Sequence, residues 1–280
     1  MLAHEFTPQR DAKLRYPCFV QPKLDGVRML VMWTSKSSKS SFSMESRNGT
    51  SFDHLLPIFA KDLTALKQSL PASVSSLDGE LYIHGEPFQD IVSMVRNRSV
   101  PDTAKDLQYH VYDLIDKDRV MGFKERNELL RSAFSSAKSC RRVKEVAVKE
   151  VGSRQAIEVA LDEAEHDGYE GIMIRASTGT YELGKRSSNL LKYKRFSTDE
   201  FTIVSYREAT GRDRGTPIFE CATPSGALFS ARPVGTLAAR ARLFDTASEQ
   251  VGKAMTVKFQ GLSRSGIPRF PVALGVRDYE

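Results

Sequence analysis

Gln21-Pro22-Lys23-Leu24-Asp25-Gly26-Val27-Arg28 is the stretch on which the reading of this 280-residue chain turns. An apolar run, Cys18-Phe19-Val20, leads into Pro22 and Lys23. A turn built on Asp25-Gly26 follows, and a second strand-like run extends from Val27 to Trp33. A lysine at a strand end, among cationic neighbours and low-dielectric walls, loses its proton more readily than a free one. The neutral amine is then a nucleophile for an electrophile such as a nucleotide α-phosphate, and Arg28 is placed to clamp an anionic group beside it. The pattern K-x-D-G-x-R is short, however, and Asp-Gly is equally an ordinary hairpin turn. These eight residues alone leave both readings open.

Composition narrows the field. Hydrophobic content of 40% and charged content of 27% place the chain among globular proteins rather than disordered ones. No run approaches 18 consecutive apolar residues, so no helical membrane span is expected. Met1-Leu2-Ala3-His4-Glu5 lacks a basic segment followed by an apolar one, so no secretory signal is expected, with the processed form of an exported protein left open. Cys18, Cys140 and Cys221 are far apart and form no C-x-x-C, which argues against a disulfide scaffold or a zinc site and suits a reducing, cytoplasmic compartment. The five histidines show no H-x-x-x-H spacing and read as surface or core residues. A net charge of +6 is compatible with a polyanionic partner without requiring one.

Periodicity sets the organisation. Residues 16–33 read as two strands around the Asp25-Gly26 turn, and residues 35–43, rich in Ser and Lys, as a solvated loop or hairpin tip. Leu55, Leu56, Phe59, Leu63, Leu66 and Leu70 recur at helical spacing behind Asp53, a candidate N-cap. Residues 77–83 read as a strand interrupted by Asp78-Gly79-Glu80, and residues 109–115, 172–175 and 189–196 as further strands. Residues 123–134 and 153–166 read as amphipathic helices, the second stopped by Gly168. After Phe196 the pattern changes to short alternating strands with Gly/Pro turns, at 201–204, around Pro224-Ser225-Gly226, and at 255–259, with one helix at 238–244. About five short strands in some 80 residues predict a small barrel of the OB type. The expected organisation is an α+β domain over residues 1–196 and a small all-β OB-fold domain over 197–280, joined at a polar hinge, Ser197-Thr198-Asp199.

Four further elements stand behind Lys23. Asp78-Gly79-Glu80 sets two carboxylates on one face of an extended segment, since alternate residues share a face. Glu170-Gly171-Ile172-Met173-Ile174-Arg175 opens a strand with a carboxylate at its mouth. Leu191-Lys192-Tyr193-Lys194 places two ammonium groups two residues apart, and Pro268-Arg269-Phe270-Pro271, followed by Arg277, supplies two guanidiniums. Each has an ordinary reading: solvated acids, lysines protecting a sheet edge, surface arginines. All of them in one order behind a strand-end lysine form a far more specific signal.

In that order the residues resemble the covalent nucleotidyltransferases, and within them the minimal ATP-dependent DNA ligases that carry only a catalytic core. Lys23-Leu24-Asp25-Gly26-Val27-Arg28 looks like the nucleophile motif of the family, and Ser46-Arg47-Asn48-Gly49 is similar to the short motif that follows it. Asp78-Gly79-Glu80 and Val111-Tyr112-Asp113 resemble the third motif and its companion, and the Glu170 and Lys192 segments the fourth and fifth. The ending from Pro268 to Arg277 resembles the DNA-ligase form of the sixth. The resemblance runs from Tyr16 to the C-terminus. It departs in one place: Phe219 to Phe229 has only a tight turn where some viral ligases carry a long latch insertion, which leaves the mode of DNA encirclement undefined.

The resemblance implies an adenylation (nucleotidyltransferase) domain ahead of the OB fold, and nick sealing in duplex DNA through three transfers. AMP from ATP would pass to Lys23, then to a 5′-phosphate, and the neighbouring 3′-OH would displace it. Glu80 would hold the ribose hydroxyls and Tyr112 would stack on adenine. Glu170, with Asp78, would bind Mg²⁺, with Mn²⁺ as a substitute. Lys192 and Lys194 would meet the α-phosphate, Arg28 and Arg47 the DNA phosphate, and Asp25 the metal or the incoming 3′-OH. Arg269 and Arg277 would reach the pyrophosphate when the OB domain closes. The implied partner is nicked double-stranded DNA, with no membrane and a monomeric enzyme. An RNA ligase or mRNA-capping guanylyltransferase is the alternative within this chemistry, against which the PRFP-type ending argues. A binding protein without catalysis is the alternative outside it, against which the intact Lys23, Glu80, Glu170, Lys192 and Lys194 argue.

Overall fold

The turn at Asp25-Gly26 does not close a hairpin. The strand before it, Cys18–Pro22, pairs with Ile172–Ala176 and Lys149–Val151, whereas the strand after it, Val27–Thr34, pairs with Ser41–Ser46 and Val74–Tyr82. The turn therefore carries the chain from one sheet to another, and Lys23 stands at the crossing.

The computed structural model describes residues 1–34, 41–99, 104, 106–137, 140–263 and 265–277. Two units are resolved, Met1–Lys194 and Arg195–Glu280. The first contains two five-stranded sheets. One has the order Leu2–Glu5, Arg186–Tyr193, Ile172–Ala176, Cys18–Pro22, Lys149–Val151; the other runs Ser41–Ser46, Val27–Thr34, Val74–Tyr82, Gln108–Asp116, Val143–Glu145.

Helices cover the sheets for the reason their periodicity predicts: each buries one apolar stripe. Arg154–His166 lays Ile157 and Leu161 against Cys18, Val20, Ile172 and Ile174 of the first sheet. Its N-cap is Ser153, whose hydroxyl accepts the Ala156 N–H at 3.2 Å. Leu56–Gln68 and Phe123–Ser136 bury Phe59, Leu63 and Leu130 in the core that also holds Met29, Val31, Leu77 and Leu114 of the second sheet.

Several sequence expectations shift. Asp53 caps no helix: its carboxylate accepts the Met44 N–H at 2.7 Å, fastening the adjacent strand, and a 3-10 turn, Asp53–Leu55, precedes Leu56–Gln68. Asp78-Gly79-Glu80 does not interrupt its strand; Val74–Tyr82 is continuous, and the irregularity is a register shift between Asp78 and Gly79 against Gln108–Asp116. The strand expected at 189–196 is Arg186–Tyr193, so Lys194 stands just beyond its end. Residues 41–43, read as part of a hairpin tip or loop, are strand in Ser41–Ser46, which pairs antiparallel with Val27–Thr34, while Lys36 and Lys39 of that basic segment lie outside the described residues. Elements with no sequence expectation include Leu2–Glu5, Pro8–Asp11, Phe88–Arg96, Val143–Glu145 and Lys149–Val151.

The second unit is a closed barrel with the order Ser197–Glu208, Pro217–Ala222, Leu228–Pro233, Val272–Arg277, Ala254–Phe259, and the helix Leu237–Asp245 follows its third strand in sequence. The OB-type expectation holds. Leu228–Pro233 alternates exposed and buried side chains along its length, and its inward residues join Ile203, Phe219 and Val257 in the core. Ser197-Thr198-Asp199, read as a hinge, is instead strand, paired with Phe259, Lys258 and Val257. Between Pro217–Ala222 and Leu228–Pro233 the chain turns tightly, with the Thr223 N–H bonded to the Ala227 carbonyl at 2.9 Å, so no latch-length insertion stands there.

Candidate active site

The site is framed by backbone. The Lys23 N–H donates to the Gly171 carbonyl at 2.8 Å and the Glu170 N–H donates to the Lys23 carbonyl at 3.1 Å. Gly171 sits at φ +144°, and a Cβ there would stand 2.4 Å from the Tyr193 carbonyl oxygen and 2.9 Å from the Lys194 Cβ. Only glycine lets the segments bearing Lys23, Glu170 and Lys194 approach this closely. Gly26 does the same on the other side: a Cβ would lie 2.3 Å from the Leu81 carbonyl oxygen and 2.9 Å from the Glu80 Cγ. The turn after Lys23 thus passes directly over the strand that carries Glu80.

On this frame the Glu170 carboxylate bridges two ammonium groups. One oxygen pairs with Lys23 Nζ and the other accepts from Lys194 Nζ at 2.7 Å, with the Glu170 side chain only 8% exposed. Burial lowers the Lys194 pKa; the hydrogen bond and charge of Glu170 oppose this, and the nearby charges of Lys23 and Lys192 reinforce it, leaving a net lowering. Lys192 does not join the bridge. Its ammonium lies 3.5 Å from the exposed Glu5 carboxylate on the neighbouring strand.

The facing wall belongs to the second sheet. Arg28 lies directly across from Glu80 in register. Its guanidinium forks onto Asp78, Nε to Oδ1 at 2.8 Å and Nη2 to Oδ2 at 2.7 Å, and its Nη1 donates to the Met1 carbonyl at 2.8 Å. The Tyr181 hydroxyl donates to the same Asp78 Oδ2 at 2.6 Å. Arg28 and Asp78 therefore satisfy each other, whereas Arg47 is exposed and makes no hydrogen bond or ion pair among the described residues.

Lys23, Arg28, Arg47, Asp78, Glu80 and Tyr112 line a single cavity of about 250 Å³, with Met173 and Leu190 as apolar wall. Arg28, Arg47 and Glu80 also border an adjoining cavity of about 490 Å³, flanked by Phe88, Val92 and Arg96. A larger cleft, about 890 Å³, is lined by Thr7, Lys13, Ser177 and Asn189 and contains none of these residues. The Glu80 carboxyl makes no hydrogen bond or ion pair among the described residues. Burial pushes its carboxyl up to about 8; Lys23 and Arg28 oppose the shift, and Asp78 and Glu170 add to it. An unpartnered, half-buried carboxyl in a cavity is a group held ready for a ligand's donors.

Tyr112 is held in place by a buried network with no counterpart in the sequence reading of the site. Arg175 lies 5.5 Å over the Tyr112 ring, donates to Asp113 Oδ2 at 2.6 Å and to Gln21 Oε1 at 2.6 Å, and Arg126 forks onto the same Asp113 at 2.7 and 3.1 Å. The signal for Arg175 and Gln21 was present in the sequence, a charged and a polar residue inside otherwise buried strands. Tyr181 carried none. Burial pushes the Tyr82 phenol up to about 12, with the charges of Tyr169 and Asp25 adding to it. Arg269 and Arg277 belong to the second unit. Arg269 lies 5.6 Å over Phe270, and Arg277, half exposed, donates to Thr256 Oγ1 at 2.8 Å and pairs with Glu200 at 3.2 Å.

Comparison with known proteins gives one consistent result. A family model described as ATP dependent DNA ligase domain matches residues 1–194, and one described as DNA ligase OB-like domain matches residues 216–277. The chain is 28% identical over 272 residues to the DNA ligase of African swine fever virus (isolate Warthog/Namibia/Wart80/1980), covering 92% of this chain and 63% of the relative. It therefore spans less than two thirds of the length of that viral protein. A solved structure from a structure-function study of Lig E DNA ligases superposes with a TM-score of 0.78 at 23% identity, covering 99% of this chain and 98% of the other. A Chlorella virus DNA ligase-adenylate superposes with a TM-score of 0.55 at 24% identity, covering 100% and 98%.

Proposed function

This chain belongs to the ATP-dependent DNA ligase family, and from that premise we propose that it seals nicks in duplex DNA through an AMP adduct on Lys23. The observation that carries the reading is the Glu170 carboxylate bridging Lys23 and Lys194, with Lys23 itself lining a cavity together with Glu80, Tyr112 and Arg47. A nucleophile, a base and a phosphate-binding cation thereby share one hydrogen-bonded unit.

In the first transfer the Lys23 amine attacks the α-phosphorus of ATP. The N–P bond forms, the bond to the bridging pyrophosphate oxygen breaks, and Glu170, already paired with Lys23, is the group placed to take its proton. Lys194 then turns to the α-phosphate oxygens that develop charge, and Lys192, near the end of the strand that Lys194 follows, supports it. Glu80 accepts from the ribose hydroxyls and Tyr112 offers its face to the adenine. In the second transfer a 5′-phosphate oxygen at the nick displaces Lys23 from phosphorus, with Arg47 and Arg28 neutralising the DNA phosphate. In the third the 3′-OH, oriented by Asp25, attacks that 5′-phosphorus and AMP leaves. Arg269 and Arg277 act on the departing pyrophosphate in the first transfer alone.

The donor set also suits a hard divalent cation. Among the described residues no three Asp, Glu, His or Cys side chains converge on a metal-sized site, but Mg²⁺ commonly takes one or two carboxylates and completes its shell with substrate phosphates and water. Glu170 would hold Mg²⁺, or Mn²⁺ in its place, once it has passed on the Lys23 proton and phosphate oxygens have drawn Lys194 away. Asp78, with both oxygens engaged by Arg28 and Tyr181, would contribute only if that fork opened. When bound the ion would polarise the phosphoryl oxygens.

The partner is nicked double-stranded DNA, and the protein acts as a monomer in a reducing cytoplasm, which its three free cysteines suit. No helix of the described residues is long and apolar enough to cross a membrane. Incubation with radiolabelled ATP or GTP, followed by a nicked duplex, tests the reading. A covalent AMP label that disappears as the nick is sealed is expected. A GMP label points to a capping enzyme, and no label to a binding module.

A further inference from the structure

Asp78 is 3% exposed on its side chain and accepts three hydrogen bonds, two from Arg28 and one from a residue distant in sequence, Tyr181. The phenol oxygen also accepts from Arg28 Nη2 at 3.2 Å, so tyrosine, arginine and aspartate form a closed ring of hydrogen bonds. Burial, Asp78 and the hydrogen bond to it raise the Tyr181 pKa far above its ordinary value, with Arg28 opposing, so the phenol remains an O–H donor.

Tyr181 lies in the loop between Ile172–Ala176 and Arg186–Tyr193, the strand that Glu170 leads into and the strand that carries Lys192. Both belong to the first sheet, whereas Arg28 and Asp78 belong to the second. That loop is itself anchored: Arg126 Nη1 donates to the Gly179 carbonyl at 3.0 Å, and the Arg126 guanidinium stands 5.8 Å from the centre of the Tyr181 ring. The phenol is thus a strut between the sheets, joined at one end to the loop that links the Glu170 and Lys192 strands and at the other to the Arg28 fork in the nucleotide cavity.

Resting on the reading of this cavity as a nucleotide site, we propose that Tyr181 is a positioning residue for ATP capture. Its hydroxyl holds Asp78 Oδ2 and Arg28 Nη2 in the arrangement that presents the guanidinium, before its later part at the DNA phosphate, to the incoming nucleotide in the cavity it lines with Lys23 and Glu80. It touches no reacting atom and acts through Arg28. Removing the hydroxyl leaves a buried carboxylate oxygen with one donor fewer and frees the guanidinium to leave the cavity wall.

The test is the rate of labelling of Lys23 by ATP over a range of ATP concentrations, for wild type, Tyr181→Phe, Asp78→Asn and the double variant. Tyr181→Phe keeps the ring against Arg126, so its melting temperature should stay close to wild type. A charge-assisted hydrogen bond is worth about 1.5 kcal/mol or more, so kcat/KM should fall on the order of tenfold, mainly through KM. The double variant should lose less than the product of the two single losses, because tyrosine and carboxylate act through the same guanidinium. Wild-type kinetics in Tyr181→Phe, or losses that multiply in the double variant, overturn the proposal while leaving the ligase reading intact. If Tyr181→Phe melts early, the same double-variant comparison made on kcat/KM of the folded fraction decides, since a general loss of fold has no reason to shrink in the Asp78→Asn background. Absence of any label on the wild type removes the ligase reading, and the proposal with it.

Discussion

Lys23 and Glu170 are joined both by backbone and by side chain: the Glu170 N–H donates to the Lys23 carbonyl at 3.1 Å, and the Glu170 carboxylate pairs with the Lys23 ammonium. The two bonds divide the work. The backbone bond, together with that from the Lys23 N–H to the Gly171 carbonyl, sets where Lys23 emerges and does not depend on protonation. The side-chain pair does, so a phosphate entering the cavity can take over the cation without disturbing the frame that aims it. The same reasoning separates the two lysines that share Glu170, since only one of them follows a frame fixed by backbone on both sides.

Lys23→Ala should abolish the AMP adduct, because no other amine is both bound to Glu170 and held by that backbone frame. Lys194→Ala should keep the adduct but slow its formation by roughly 10²–10³-fold, the usual loss for removing one donor to developing oxyanion charge. Intact mass after incubation with ATP reads both. An adduct of normal yield in Lys23→Ala removes it as the nucleophile, and an unchanged rate in Lys194→Ala removes that lysine from the phosphate.

Glu80 gives a pH dependence with a definite sign. Its folded-state pKa is about 8 against an ordinary value of 4.5, so the folded protein holds a proton that the unfolded chain has released. Below about 4.5 both states are protonated and Glu80 carries no penalty; as pH rises toward 8 the penalty grows and stability falls. Glu80→Gln removes the titration. Its melting temperature should match wild type near pH 5 and exceed it near pH 8, by roughly 2–4 °C for each kcal/mol recovered. A difference between variant and wild type that stays constant with pH rules out Glu80 as the titrating group.

What could be read from sequence was what local chemistry enforces. A lysine behind an apolar strand, helical stripes of leucine, and alternation through the barrel strands all carry their cause within a few residues. Whether Asp25-Gly26 turned a hairpin or crossed between sheets did not, since that depends on Ile172–Ala176 and Val74–Tyr82, pairing partners distant in sequence. Val143–Glu145 and Lys149–Val151 are three residues each, too short for a period to show. Phe88–Arg96 buries Ile91 and Val95 at helical spacing, but that pair is too brief to stand out from the polar residues around it. The site divides the same way. Lys23, Glu80 and Glu170 could be singled out as candidates because their chemistry is visible in their residue types. The Arg28–Asp78 fork, the Arg175–Asp113–Arg126 network and Tyr181 are long-range pairings between residues that look ordinary one at a time.

Arg269→Ala and Arg277→Ala should impair adduct formation far more than sealing. Both residues lie in the second unit, and neither is placed on the frame that holds Lys23. A nick that already carries 5′-AMP releases no pyrophosphate, so its sealing should be spared in both variants. The Arg277 variant also loses a bond to Thr256 and a pair with Glu200, both exposed, so its stability should change little. Sealing rates on ATP-dependent and pre-adenylated nicks are compared. Equal losses on both substrates would place the arginines on DNA or on folding.

The tight turn at Thr223–Ala227 carries no latch, and in the proposed reading affinity for a nick comes largely from charged surface. Each phosphate neutralised releases condensed counterion, and log affinity falls with log salt at a slope of roughly −0.9 per contact. With about five or six contacts, raising salt from 50 to 200 mM should weaken nick binding on the order of a thousandfold. The turn at Gly211–Asp213 is a candidate for two of them. Arg212 and Arg214 both point into solvent, with Arg214 85% exposed and only a 3.8 Å approach to Glu208. Asp213 does not neutralise them, because its carboxylate is already taken by Arg232 and by Arg240 at 3.0 Å. The double variant Arg212→Ala/Arg214→Ala should therefore lower the magnitude of the slope by up to roughly 1.8 and leave AMP labelling of Lys23 untouched. Arg212 should supply the larger share, since the carboxylate near Arg214 offsets part of its charge. The measurement is nick affinity against salt for wild type, the two single variants and the double. A double variant with the wild-type slope and affinity would move the DNA contacts away from this turn and onto other basic segments of the chain.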